Sequence, residues 1–279
     1  MVRCPLGESL DHRPVSAVPR PASTICLVRD TPSGVDVLLA QRTPEARFLG
    51  GAWVFPGGSI DDDDGSDAAR SAVASSDPDL ASWRAAAVRE LIEETGIWLL
   101  TSGALVTTQR PEGLAVFTSV LDNDDELAGD SLHYFANWIT PAPRPVRFDT
   151  RFFAAAVPIG IEPIVDNIEL VDGAWIRPAD ALARAASGRW DIAFPTRRVL
   201  DFLGVFESTA LLVASIASQG MVEAIQPRLS IVNGRVEVVM PGDPGFEAVA
   251  EGEPDRALLE AVREIARSDT GTVTELGSP

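Results

Sequence analysis

The sequence predicts an α/β fold, and three observations carry that expectation. Runs rich in β-formers recur at residues 22–29, 35–42, 134–140 and 148–157, with turn signals between them. A helical stretch with legible ends, Asp77 to Gly96, lies between the second and third of these runs. Helical patterns return at 178–186, 196–203 and 207–218. With 279 residues, 46% of them hydrophobic, the chain can bury a sizeable core, as one large domain or as one domain with an appendage.

Taken in order, residues 1–20 have little periodicity and read as a loose arm. The first two strands flank Asp30-Thr31-Pro32-Ser33-Gly34, a hairpin signal. Residues 61–67 hold five aspartates with Gly65 and Ser66, and read as a solvated loop; they lack the spacing and closing glutamate of an EF-hand. The helix after them takes Asp77 as its cap and Pro78 in its first turn. Ala85, Ala86, Ala87, Leu91 and Ile92 favour helix, and Gly96 stops it. Residues 98–132 read as an inserted segment, with a helix at 114–121 and an acidic stretch at 122–130. The strands 134–140 and 148–157 are joined by the proline-rich 141–145. A strand carrying Trp175 and Ile176 follows Asp166-Asn167-Ile168-Glu169. Runs at 228–232 and 236–240 around Asn233-Gly234 read as a terminal hairpin, and the acidic tail 247–279 holds one amphipathic helix, 255–267.

The chemistry concentrates between Gly51 and Ile97. Residues three and four apart share a helix face, so Glu90, Glu93 and Glu94 project together. Three carboxylates on one patch repel unless a cation sits among them, and hard, oxygen-seeking Mg²⁺ or Mn²⁺ fits that need. Arg89 supplies a fixed positive charge that can orient a neighbouring carboxylate. Ahead of the helix, Phe55-Pro56-Gly57-Gly58 turns the chain sharply, and its glycines let backbone approach a metal or phosphate. Arg42 and Arg47 are placed to hold the phosphates of an anionic substrate, against the plain alternative of surface ion pairing.

Composition excludes several classes. The formal charge is −18, which makes the surface a poor partner for nucleic acid or an anionic membrane. All 23 basic residues are arginine, so no lysine can act as nucleophile or Schiff base. Cys4 and Cys26 make neither a disulfide framework nor a zinc site, and His12 and His133 are too isolated for a histidine metal site. No secretory signal opens the chain, and the longest apolar helix candidate, 209–218, is too short to span a bilayer; cytoplasm is the expected location.

The stretch resembles the box of the Nudix hydrolase family, G-x5-E-x7-R-E-U-x-E-E-x-G-U, with U an aliphatic residue. Arg89 to Ile97 matches at every specified position. Between Gly58 and Arg89 there are 30 residues where the box has 13, so 17 are inserted. The position eight before Arg89, a glutamate in the box, is Ala81. Residues 38–58 resemble the signature of the coenzyme A diphosphatases within that family, L-L-T-x-R-[SA]-x3-R-x3-G-x3-F-P-G-G. Arg42, Arg47, Gly51 and Phe55 to Gly58 fall in register, with Ala40 in place of the threonine and Thr43 in place of serine or alanine. Trp138 to Pro141 and Arg147 to Phe153 are similar to a long-insert subgroup, the peroxisomal-type coenzyme A diphosphatases.

The resemblance implies a Nudix-type α/β/α sandwich with a mixed sheet, the box helix against one face. It implies a hydrolase domain over 21–205 with insertions at about 60–80 and 98–132, a helix and hairpin extension at 206–246, then the tail. It implies metal-dependent hydrolysis of a nucleoside diphosphate linked to another group, with Mg²⁺ or Mn²⁺ held by Glu90, Glu93, Glu94 and the Gly57 carbonyl. Glu90 or Glu169 would serve as base, and Arg42, Arg47, Gly58 and Arg151 would meet the substrate. Coenzyme A or an acyl-coenzyme A, split to 3′,5′-ADP and a phosphopantetheine, is the preferred substrate. ADP-ribose, NADH or a dinucleotide is the alternative, and a non-catalytic nucleotide sensor is the alternative of another class. A homodimer is the family-level expectation.

Overall fold

The computed structural model describes residues 17–46, 48–142, 144, 146–232 and 235–249, and the backbone of 274–275. The chain divides into two compact units, one of Pro19–Ile139 with Phe148–Gln226, the other of Met1–Val18, Thr140–Arg147 and Pro227–Pro279. Among the described residues no helix is long and apolar enough to cross a membrane.

The larger unit begins with β1 (Arg20–Thr31) and β2 (Gly34–Arg42), an antiparallel hairpin. Only Pro32 and Ser33 are left for the turn, so both strands run longer than their β-rich cores predict. The Thr31 hydroxyl donates to the Gly34 carbonyl at 2.8 Å and closes it. Next come β3 (Trp53–Val54), β4 (Gly57–Ser59), α1 (Asp67–Ala72) and α2 (Ala81–Thr95). The hairpin β5 (Ile97–Leu100) and β6 (Gly103–Val106) leads to α3 (Leu114–Asp122). Strands β7 (His133–Ile139), β8 (Phe148–Ala156) and β9 (Leu170–Ile176) follow. Helices α4 (Pro178–Ala186), α5 (Phe194–Leu203) and α6 (Thr209–Ser218), then β10 (Ala224–Ile225), complete the unit.

Eight of these strands form one mixed sheet in the order β10-β7-β8-β1-β2-β3, with β4 beside β1 and β9 beside β2. The β1–β8 and β7–β10 pairs are parallel, and the rest are antiparallel. Alternate residues of a strand face opposite sides, and both sides of β1 are buried. Ile25 and Leu27 join Phe153 and Ala155 of β8 in the core under α2, where Ala85, Val88, Leu91 and Ile92 lie. Cys26 and Val28 are as deeply buried on the other side. There α5 packs on the sheet through Phe202 stacked on Phe135 and Phe194 edge-on to Trp138. The apolar run Ile25 to Val28 is what a strand covered on both faces requires, and the unit is the α/β/α sandwich with a mixed sheet that the sequence implies.

Two segments carry more structure than their sequence suggests. Residues 61–80 form a 3₁₀ turn at Asp62–Gly65, helix α1 and a second 3₁₀ turn at Pro78–Leu80. Residues 98–132 include most of the unpredicted β5–β6 hairpin. Ala69, Ala72, Val73, Leu127, Val116 and Phe117 from these segments are buried in the same core as α2, so they are built into the sandwich. Asp77 does cap the approach to the box helix, accepting the Asp79 N–H at 3.0 Å, but it caps the 3₁₀ turn, and α2 starts at Ala81. Gly96 ends α2 as expected, in the left-handed conformation with φ +68°.

The smaller unit contains the hairpin of β11 (Arg228–Val232) and β12 (Arg235–Val239), joined in parallel by β13 (Thr274–Glu275). Its turn, Asn233-Gly234, lies outside the described residues, as do the expected helix at 255–267 and residues 1–16 of the arm.

Candidate active site

The site forms where β4 passes under α2. Gly57 has φ +154°, and a Cβ there would run into the Ser23 carbonyl and lie 2.7 Å from the Thr24 Cα. A Cβ on Gly58 would run into the carboxylate of Glu90. The two glycines therefore let the helix set its carboxylates down on the backbone turn. The Gly57 N–H donates to Glu94 Oε2 at 3.0 Å.

Arg89, 2% exposed, organises the group. Its Nε and Nη2 donate to the two oxygens of Asp64 at 2.8 and 2.9 Å, a bidentate pair. Its Nη1 donates to Glu90 Oε1 at 2.9 Å and Glu93 Oε2 at 3.0 Å, and Nη2 reaches the Ser59 carbonyl at 3.0 Å. The other Glu93 oxygen accepts the Gly113 N–H at 2.7 Å, and the Leu114 N–H donates to Asp63 at 3.0 Å. The N-terminus of α3 thus holds carboxylates from both the box helix and the aspartate-rich stretch, as the free N–H groups of a helix start favour.

Asp64 corrects two expectations. The aspartate run reads as a solvated loop, yet Asp64 is 1% exposed and paired with Arg89. The first acid of the box also has a counterpart. Counted back from Arg89 its place falls on Ala81, but counted forward from Gly58 it falls on Asp64, the sixth residue on. The extra residues lie between Asp64 and Arg89, where α1 packs away into the core. Counting from the glycine was the signal that would have found it. No such signal marks Gly113 and Asp63, whose contacts arise only in three dimensions.

Burial dominates the electrostatics. Burial, then the charge of Glu90, raises Glu94 well above the usual carboxylate range. Burial pushes Glu90 up to about 7, with Arg89 working against it and Glu93 and Glu169 adding to it. Burial also raises Glu93, opposed by the Gly113 N–H and Arg89. Arg89 is held more firmly protonated than usual: burial opposes its charge, but the Asp64 bond and the charges of Glu90, Asp64 and Glu93 outweigh that.

Glu169, at the approach to β9, is close enough for its charge to raise Glu90 and Glu94, behind burial as the main cause. Its carbonyl accepts the Thr43 N–H at 2.8 Å, next to Arg42, whose charge acts on Glu94 in the opposite sense. Close contacts thus bring Gly57, Gly58, Arg89, Glu90, Glu93 and Glu94 together, and the pairing of β2 with β9 sets Arg42 and Glu169 at neighbouring strand ends. Arg151 has a different setting, its guanidinium 4.0 Å over the Trp83 ring and 5.6 Å from that of Tyr134. Arg47 lies outside the described residues.

Glu90, Glu93 and Glu94 form a desolvated carboxylate patch with one guanidinium to balance it, a donor set suited to a hard divalent cation. Among the described residues no three or more such side chains converge as a ready-made cage. The reason is visible: Glu90 and Glu93 are turned onto Arg89, and Glu94 onto the Gly57 N–H. Glu93 has both oxygens engaged, whereas Glu90 Oε2 and Glu94 Oε1 accept no hydrogen bond within the described residues.

No protein-family model matches the chain. The chain is 29% identical over 168 residues to a Caenorhabditis elegans protein named "Putative nudix hydrolase 7", the match covering 57% of this chain and 52% of that one. The chain thus spans about half the length of the curated relative it matches. A NUDIX hydrolase from Alicyclobacillus acidocaldarius, known by crystal structure, superposes with a TM-score of 0.58 and 28% identity, over 71% of this chain and 96% of that one. The fold is the Nudix fold, and the chain is similar to these two proteins, each named as a Nudix hydrolase.

Proposed function

We propose that the chain is a metal-dependent hydrolase that cleaves the diphosphate bond of a nucleoside diphosphate linked to another group. The observation that carries this reading is the cluster on α2: Arg89 bonded to Asp64, Glu90 and Glu93, with Glu94 on the Gly57 N–H. The Caenorhabditis elegans relative and the Alicyclobacillus acidocaldarius structure, both named as Nudix hydrolases, support it.

Glu90, Glu93 and Glu94, with the Gly57 carbonyl, would hold Mg²⁺ or Mn²⁺. Such an ion, when bound, neutralises diphosphate charge and makes hydroxide available from water near neutral pH. The chain's own residues supply the rest. Arg89 fixes the direction of Glu90 and Glu93, and Asp64 fixes Arg89. Glu90 or Glu169 takes the proton of the attacking water. Arg42, whose charge acts on Glu94, would bind phosphate oxygens. No covalent intermediate with the protein is required.

Coenzyme A or an acyl-coenzyme A is the substrate we put first, on the register of Arg42, Gly51 and Phe55 to Gly58 with the coenzyme A diphosphatase signature. ADP-ribose and NADH come second. The test is a screen of the purified chain with Mg²⁺ and Mn²⁺ against coenzyme A, ADP-ribose, NADH and a dinucleoside polyphosphate, read by product mass. Cleavage lost in Glu93→Gln/Glu94→Gln and on chelation is the expected result, with 3′,5′-ADP as the first product. Turnover of ADP-ribose or NADH alone would remove the coenzyme A reading. Tight nucleotide binding without cleavage of any of the four would replace the hydrolase by a sensor.

A further inference from the structure

The turn that delivers Glu169 to the site is held by a single carboxylate. Asp166 Oδ1 accepts the N–H groups of Ile168 at 3.1 Å, Glu169 at 3.1 Å and Leu170 at 2.9 Å, and Oδ2 accepts that of Glu169 at 2.9 Å. Asn167 sits in the left-handed region with φ +60°, which asparagine tolerates better than most non-glycine residues. Its N–H donates to the Leu170 carbonyl at 2.9 Å. Glu169 is thereby gripped on both sides, its N–H by Asp166 and its carbonyl by the Thr43 N–H.

The preceding residues are tied to the end of the box helix. The Ile164 N–H donates to the Thr95 carbonyl at 2.8 Å. Arg110 bridges the Val165 carbonyl to those of Glu93 and Glu94, at 3.3, 3.4 and 3.5 Å. Leu170 is fully buried and anchors one end of the turn, but Ile168, one residue before Glu169, is 76% exposed, so burial does not fix residues 167–169. Water could satisfy the N–H groups of an exposed turn. Their capture by one carboxylate, around a left-handed asparagine, gives the turn a single shape.

We propose that Asp166 is a positioning residue for Glu169, fixing its backbone next to Thr43 and the end of the box helix through the N–H groups of residues 168–170. The proposal rests on the role given to Glu169 under Proposed function. A plain structural role, starting β9 in the correct register, is the competing account, and the two differ in what they do to turnover.

The test compares Asp166→Ala, Asp166→Asn, Glu169→Gln and Asp166→Ala/Glu169→Gln in the full chain with Mn²⁺, on the substrate cleaved best in the screen. Glu169→Gln should lower kcat about a hundredfold, as loss of a general base does. Asp166→Ala should lower kcat about tenfold, with KM within about twofold, because binding is kept and geometry is lost. Asp166→Asn keeps Oδ1, and with it three of the four bonds, and should recover most of the rate. The double variant should be no slower than Glu169→Gln alone. Amide exchange should show loosening confined to residues 167–170, which separates a local effect from unfolding. An Asp166→Ala enzyme with normal kcat, an asparagine no better than alanine, or multiplying effects in the double variant would overturn the positioning role while leaving Glu169 in place. A Glu169→Gln enzyme with normal turnover would overturn both that role and this proposal. A wild-type chain that cleaves nothing would overturn the hydrolase reading, and the proposal with it.

Discussion

Asp64→Ala should destabilise the protein by about 3 kcal/mol, the low end of what breaking a buried ion pair costs. The partners justify the buried scale: the Asp64 side chain is 0% exposed and that of Arg89 3%. The low end applies because Arg89 keeps Glu90, Glu93 and the Ser59 carbonyl after the change. The Asp61 N–H loses its acceptor too, but water can replace that bond on an exposed residue. In urea, with a slope of about 2–3 kcal/mol per molar, the midpoint should fall by about 1 M. A double-mutant cycle with Arg89→Met isolates the pair, and a coupling of about 1.5 kcal/mol or more is expected. Turnover should fall further than stability, because Arg89 without Asp64 no longer holds Glu90 and Glu93 in place. A midpoint shift equivalent to less than about 1 kcal/mol, or additive effects in the cycle, would refute the assignment of Asp64 as the anchor of Arg89.

The two glycines of the turn should separate function from folding. In Gly58→Ala the new methyl meets the Glu90 carboxylate and no backbone, so stability should fall by only about 1 kcal/mol while kcat/KM drops about a hundredfold. In Gly57→Ala the methyl meets backbone at Ser23 and Thr24 from a positive φ, and thermal unfolding should show a loss of about 2–4 kcal/mol. Arg151→Met should lower stability by about 1 kcal/mol, the worth of its stacking on Trp83, and leave KM within twofold; a tenfold rise in KM would instead make Arg151 a substrate contact. Mn²⁺ at a hundredfold excess over its Kd should stabilise the wild type by about 2.7 kcal/mol, and Glu90→Gln should abolish most of that gain.

What the sequence made legible was whatever depends on local spacing. The shared helix face of Glu90, Glu93 and Glu94, the stop at Gly96 and the hairpin at Pro32-Ser33 each follow from a few neighbouring residues. The β5–β6 hairpin was missed because its short strands carry no alternation that distinguishes them from a loop. Asp64 was missed because an aspartate run is usually solvated, and nothing local shows that one of its members is buried under a guanidinium 25 residues away. The same limit hides Gly113, which acts through a backbone N–H that any residue would possess.

The insertion between Asp64 and Arg89 explains its own tolerance. A pair closed in space is indifferent to the length of chain between its members, provided the detour returns to the same place. Lengthening that detour from seven residues to 24 costs entropy only with the logarithm of its length, roughly 1 kcal/mol if the loop were flexible. Here the detour is not a flexible loop, since Ala69, Ala72 and Val73 bury apolar surface in the core, which offsets that cost. Asp63, just ahead of the detour, accepts the Leu114 N–H at the start of α3, whose Gly113 N–H holds Glu93. The inserted segment 98–132 thus reaches a carboxylate of the box helix, and shortening it at Gly113 should disturb Glu93 even where it leaves the sheet intact.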